Sequence, residues 1–275
     1  MTENPLGEYF RKPSIYIELP SKGKFYKQPP NLSADGELAV FGMTARDELV
    51  LKNPDALLNG EGIIEVFKSV VPDIKNPGEI PTPDYNSILL AMRVASYGKN
   101  MDYMVTCPEC SNVDTVTFDL HAILASHTIL EDEYIAELES GIKVSIKPTT
   151  LHMQNRIALR TLEQSRLLEV LNEDSDTEVK LKKFSQAFKT LANITFDIVL
   201  DGIVHVQLPD GEIVENHAHI TEWLNNITKS QYNIVNEVIE KINNTGVNNE
   251  FHHVCSACSA DIDQNMMFDP SSFFG

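Results

Sequence analysis

Apolar positions along this chain change period several times, and each change marks an element. Ser14 to Leu19 alternates at period two and predicts a short strand. Pro20-Ser21-Lys22-Gly23-Lys24 breaks it, and Phe25-Tyr26 resumes it before Gln28-Pro29-Pro30. Asp35-Gly36 signals a turn into a second strand over Glu37 to Phe41. Thr44 with Asp47 resembles a capping box that uses Asp in place of Glu, so helical punctuation starts there. Asn53-Pro54 predicts another helix start, interrupted by Gly60 and Gly62 and resumed from Ile63 to Val71. Asp84 reads as the cap of a helix whose apolar positions Ile88, Leu89, Met92 and Ala95 recur at helical spacing, with Gly98 as its stop.

From Met101 the period returns to two. Tyr103 to Thr106 leads into Cys107-Pro108-Glu109-Cys110 and Val113 to Phe118 leads out, a hairpin with the cysteines at its tip. Ile142 to Ile146 is a further strand, and residues 150–171 predict a polar-faced helix. After the acidic run 172–176, a longer helix is predicted over 179–200, with Phe184, Phe188, Leu191, Ile194 and Ile198 on one stripe. Val204 to Leu208 and Glu212 to Val214 flank the turn Pro209-Asp210-Gly211. Helices over 218–227 and 229–243 follow, and Phe251 to Phe268 then repeats the earlier hairpin around Cys255-Ser256-Ala257-Cys258. The expected fold class is α+β, mixed helices and short strands with a composite zinc ribbon formed by two CxxC hairpins far apart in sequence. Its expected divisions are 1–100, 101–147, 148–246 and 247–275, the last packing back on 101–120.

The four cysteines are all the chain has, and 144 residues separate the two pairs. Two residues between ligands let both sulfurs face one cation, so Cys107, Cys110, Cys255 and Cys258 are the candidate ligands of a structural Zn2+. A four-sulfur set is coordinatively closed, which points to architecture rather than catalysis. A redox CxxC needs a helix opening at the motif, and neither Pro108 nor Ser256 begins a good one. His252 and His253 are alternative ligands by position, read more simply as a strand pair with one side exposed. His205, His217 and His219 lack a cysteine or acidic partner at metal spacing and read as structural.

Composition narrows the function. Against 22 Lys and Arg stand 40 Asp and Glu, a net charge of −18 in 275 residues. Proteins that displace counterions from nucleic acid cluster basic residues, so no nucleic-acid partner is expected. The alternative, a zinc-ribbon nucleic-acid-binding or transcription-associated protein, rests on the knuckles and on Lys180, Lys182, Lys183 and Lys189. No apolar run approaches the roughly 20 residues of a membrane span, and the first residues lack the order of a signal peptide. No membrane partner is expected, and a reducing cytoplasm favours metal over disulfide for the CxxC pairs. Phosphate-loop, dinucleotide, HExxH and GxSxG signatures are absent, so no enzyme is expected.

Several ordered blocks carry a resemblance. Ile15-Tyr16-Ile17-Glu18-Leu19-Pro20-Ser21-Lys22-Gly23-Lys24-Phe25-Tyr26 opens the series, and Met43 to Leu49 and Lys52 to Gly60 continue it. Ile74-Lys75-Asn76-Pro77, Ile80-Pro81, Arg93-Val94-Ala95-Ser96-Tyr97-Gly98 and Cys107 to Cys110 complete it. About a third of the chain thus resembles the baseplate hub or hub-assembly family of T-even-like contractile-tailed bacteriophages. The resemblance implies a non-enzymatic protein of the baseplate hub, its partners other hub or tail assembly proteins. The implied location is the host cytoplasm during assembly or the virion tail baseplate. On that reading Phe25 and Tyr26 are either anchors for a neighbouring subunit or part of the chain's own core.

Overall fold

The computed structural model describes residues 4–53, 60–161, 189–190, 193–266, 268 and 270–274. The helix expected to open at Asn53-Pro54, residues 162–171 and 179–188 of the two helices expected over 150–171 and 179–200, and with them Lys180, Lys182 and Lys183, lie wholly or partly outside the described residues.

The first core gathers around one helix. Strands β1 (Ile15–Glu18) and β2 (Glu37–Val40) pair antiparallel, Ile17 opposite Leu38, and turn Ile17, Leu38 and Val40 inward. Helix α1 (Ala45–Leu51) starts at Thr44, whose side chain accepts from Asp47 N while Asp47 accepts from Thr44 N, the expected capping box. Helix α2 (Glu61–Val70) buries Ile63, Val66, Phe67 and Val70 on one stripe. Helix α3 (Thr82–Tyr97) is enclosed on every side, with Ile88, Leu89, Leu90, Ala91 and Met92 all fully buried. The stripe of Ile88, Leu89, Met92 and Ala95 marked the helix and missed Leu90 and Ala91, because a helix covered all round has no polar face to define a stripe. Met266, Phe273 and Phe274 enter this same core from the far end of the chain, the last two on a short terminal helix (Pro270–Phe274).

Strands β3 (Asn100–Thr106) and β4 (Val113–Asp119) form the first cysteine hairpin. Helix α4 (Leu120–Ala125) follows, capped by Asp119. A second core lies under a four-stranded antiparallel sheet of β5 (Tyr134–Glu137), β6 (Lys143–Ile146), β7 (Ile203–Gln207) and β8 (Ile213–Val214). Between β6 and β7 the chain is helical over 151–161 (α5) and again over 193–202 (α6). Helices α7 (His217–Leu224) and α8 (Lys229–Asn243) cover the sheet through Ile220, Leu224, Val235, Ile239 and Ile242. Strands β9 (Glu250–Val254) and β10 (Asp261–Asn265) make the second cysteine hairpin, and the terminal helix after them is α9.

A buried carboxylate ties the resemblance-bearing loop to the central helix. Asp84 was expected to cap α3, but the cap position falls on Pro81, and Asp84 turns inward from the first turn instead. It accepts from Ser21 N at 2.8 Å, from the Ser21 hydroxyl and from Tyr26 OH at 2.8 Å. Tyr26 therefore closes the chain's own interior. Phe25 packs against the second core with a left-handed backbone (φ 67°), a conformation costly for a bulky residue, so the segment is a tight turn and not a resumed strand. Leu130 N donating to Pro20 O and Thr82 N donating to Thr149 O join the same loop and helix to the second core.

Candidate metal centre

The two cysteine hairpins face each other and build one small body. Period-two alternation turns Tyr103 and Val105 of β3, and Asp114, Val116 and Phe118 of β4, away from solvent. Phe251 and His253 of β9 and Ile262 of β10 meet them from the other side. The rings of Tyr103, Phe118 and Phe251 lie 5.0 to 6.2 Å apart in edge-on pairs, a geometry favoured by aromatic quadrupoles.

Both tips have the same backbone. In the first, Cys107 N donates to Asn112 O at 2.8 Å and Ser111 N to Cys107 O at 2.9 Å. In the second, Cys255 N donates to Ala260 O and Ser259 N to Cys255 O, each at 2.9 Å. Ser111 and Ser259, each just after the second cysteine, take left-handed φ of 61° and 59°. Local sequence thus folds each tip separately, and the aromatic cluster brings the two together. Because that conformation disfavours any residue with a Cβ, Ser259→Gly is expected to raise stability by about 0.5–1 kcal/mol and Ser259→Val to lower it by about 1–2 kcal/mol. Thermal melts of the two variants check this, since Ser259 is exposed.

The four sulfurs converge. Cys107 Sγ lies 3.7 Å from Cys258 Sγ, Cys110 Sγ lies 3.7 Å from Cys255 Sγ, and all four fall within 4.8 Å of one another. All four are free thiols, too far apart for disulfides. A tetrahedron with bonds of about 2.3 Å has edges of roughly 3.8 Å, so the set fits a single zinc-sized ion. Cys107 and Cys255 are 1% and 2% exposed, whereas Cys110 and Cys258 reach solvent.

Electrostatics favour a cation here. The backbone N–H groups of Cys258 and Ala257 point at the Cys255 sulfur and lower its thiol to about 6. Cys258 receives the Ala260 N–H, yet hydrogen bonds shared with Cys110, desolvation and its other two sulfur neighbours push it up to about 12. Four sulfurs this close resist ionising together, and a divalent ion would satisfy all of them as thiolates.

One group that sequence reading passed over clamps the halves. Asp114 accepts from Ser256 N at 2.9 Å, from Ser256 Oγ, from His253 Nε2 at 2.9 Å and from Asn112 Nδ2 at 2.8 Å. The Ser256 hydroxyl, His253 and the Ser256 N–H hold this carboxyl well below the usual carboxylate range. The signal was present: Asp114 is a carboxylate at an inward position of an alternating strand. His253 thus serves the clamp, while His252 turns outward to Asp263 and Asp261. Neither histidine nitrogen joins the sulfur group, and among the described residues His205, His217 and His219 form no metal cluster either.

Small sheets, an enclosed helix and two hairpins that bring four cysteines together define an α+β protein with one candidate metal centre. A family model described as T4 bacteriophage base plate protein matches residues 12–275, and the chain belongs to that family. It is accordingly a structural protein of a phage baseplate, and membership implies a place in the virion tail and contacts with other baseplate proteins. No curated protein and no solved structure gives a match. Among the described residues no helix is long and apolar enough to cross a membrane.

Proposed function

We propose that this chain is a non-enzymatic structural or assembly protein of the tail baseplate hub, held in shape by one structural zinc at Cys107, Cys110, Cys255 and Cys258. The convergence of four sulfurs from segments 144 residues apart carries the zinc reading. The metal would supply a cross-link, not chemistry, since four protein ligands leave no open position. It would hold β9, β10 and the Phe273–Phe274 end of the chain against the first core, fixing the surface that other hub or tail assembly proteins meet. The chain would act in the host cytoplasm during assembly and in the tail baseplate.

Native mass spectrometry of the purified protein is expected to show one zinc per chain, released by acid or a strong chelator. A chain mass with no metal under conditions that preserve other zinc proteins goes against the zinc. Co-purification with tail proteins from infected cells is expected, and its absence goes against the hub assignment.

A further inference from the structure

One surface of the first core breaks the pattern of the rest of the chain. Leu6, Tyr9 and Phe10, three large apolar side chains within five positions, are 64%, 82% and 62% exposed. They sit on a short arm around a 3-10 turn (Gly7–Tyr9) that buries none of its own residues. The root of the arm is nonetheless fixed. The Arg11 guanidinium donates to Gly42 O and to Ser69 O and Oγ, the last two at 2.7 and 2.6 Å. It also stacks over Phe41 at 5.5 Å and lies 3.6 Å from Asp47 Oδ2. The exposed aromatics are therefore presented in a set place, over a cleft of about 740 Å³ walled by Phe41, Pro72 and the Lys68 stem. Clustered apolar side chains held out into water are unfavourable alone and mark contact sites.

The charge around the cleft runs against the chain. Overall the chain carries 40 acidic residues against 22 basic ones, yet no carboxylate lines this cleft. Asp47 lies beneath it and is occupied by Arg11, Ser69 and the Thr44 cap. Lys12 and Lys68 are exposed with no ion pair among the described residues. An aromatic cleft lined by the unpaired Lys68, at the root of an arm where Lys12 follows Arg11 and outweighs the single carboxylate of Glu8, matches a particular partner on an otherwise acidic protein.

We propose that this arm and cleft bind an acidic segment of a different baseplate protein, one that carries an aromatic or leucine side chain beside its carboxylates. The apolar side chain fills the space between Phe10, Phe41 and Pro72, and the carboxylates meet Lys12 and Lys68. A second copy of this chain fits poorly, because two bodies of charge −18 repel on approach. A nucleic-acid strand needs a longer basic track than two lysines supply. The inference rests on reading the chain as one that works through contacts with other tail proteins.

Tyr9→p-benzoylphenylalanine in the full chain supplies the test, irradiated both in assembled tails and in infected-cell lysate, with the cross-linked peptides sequenced. The expected product joins Tyr9 to another tail protein, at a peptide in which Asp and Glu outnumber Lys and Arg beside an aromatic or Leu. Lys68→Glu is expected to cut the yield about tenfold while leaving the melting temperature and metal content unchanged. Cross-links to a second copy, to nucleic acid or to a basic segment overturn the proposal. So does an undiminished yield with Lys68→Glu, or no cross-link at Tyr9 while tail proteins still co-purify; that last result spares the hub assignment. Failure of any tail protein to co-purify overturns both together.

Discussion

Cys255→Ser is expected to release the proposed zinc and to lower the melting temperature by roughly 8–16 °C. The size follows from two steps. A tightly held ligand at a thousand times its dissociation constant stabilises the folded chain by about 4 kcal/mol. For a chain of this size each kcal/mol moves the midpoint by roughly 2–4 °C. The effect should be graded. Cys107 and Cys255 are buried, so replacing either places an uncompensated hydroxyl against the Val105–Ile262 cluster. Cys110 and Cys258 reach solvent, where water can take the vacated ligand position, so Cys110→Ser and Cys258→Ser should keep part of the metal and cost less. Metal content by elemental analysis, thermal melts and amide exchange over β9 and β10 would measure the series. Four equal losses would contradict the graded burial argument, and no loss in any of them would end the zinc reading.

How much of this centre was legible in the sequence depends on how local each part is. The knuckles are local: two residues between cysteines, flanked by alternation, fix the tips, while the cluster of Val105, Cys107, Cys255 and Ile262 joins residues far apart in sequence. The clamp through Asp114 joins positions 142 residues apart and left only a weak trace, an inward carboxylate on β4. The same contrast holds in the body. Thr44 and Asp47 announced their cap correctly because all its atoms lie within one turn. Asp84 misled, since an acidic residue beside Pro83 looks like a cap while its partners, Ser21 and Tyr26, come from a distant loop. The strand Tyr134–Glu137 went unread because the carboxylates Glu131, Asp132 and Glu133 precede it where the strands that were read follow a Gly or Pro turn or a CxxC, and the helix Pro270–Phe274 spans little more than one turn. Short elements like these are fixed by what they pack against: Ala136 by the second core and Phe273 by the first.

Asp84→Ala is expected to destabilise the chain by about 3–5 kcal/mol, while Asp84→Asn should cost much less and change how stability responds to pH. Alanine leaves Ser21 N, the Ser21 hydroxyl and Tyr26 OH without their acceptor in a dry interior, at about 1–3 kcal/mol for each unmet donor. Asparagine keeps an acceptor oxygen and the volume. The pH effect has a definite sign. Burial raises the carboxyl from 3.8 to about 6, against the hydrogen bonds from Ser21 and Tyr26 that favour the anion. A carboxyl whose folded value lies above its unfolded one holds its proton more tightly when folded. Its contribution is therefore complete below pH 3.8 and is lost as pH rises through about 6. A rise from 3.8 to about 6 corresponds to about 3 kcal/mol. Relative to Asp84→Asn, the native protein should thus lose about that much stability between pH 4 and pH 7, read from urea midpoints of both proteins across the range. A difference that stays flat, or that grows with pH in favour of the native chain, would show that the three donors outweigh burial. In that case the loop from Pro20 to Tyr26 would be held to α3 by a fully ionised carboxylate at every pH in the window. With burial the larger effect, the Ser21–Tyr26 loop instead grips α3 most firmly when Asp84 carries its proton.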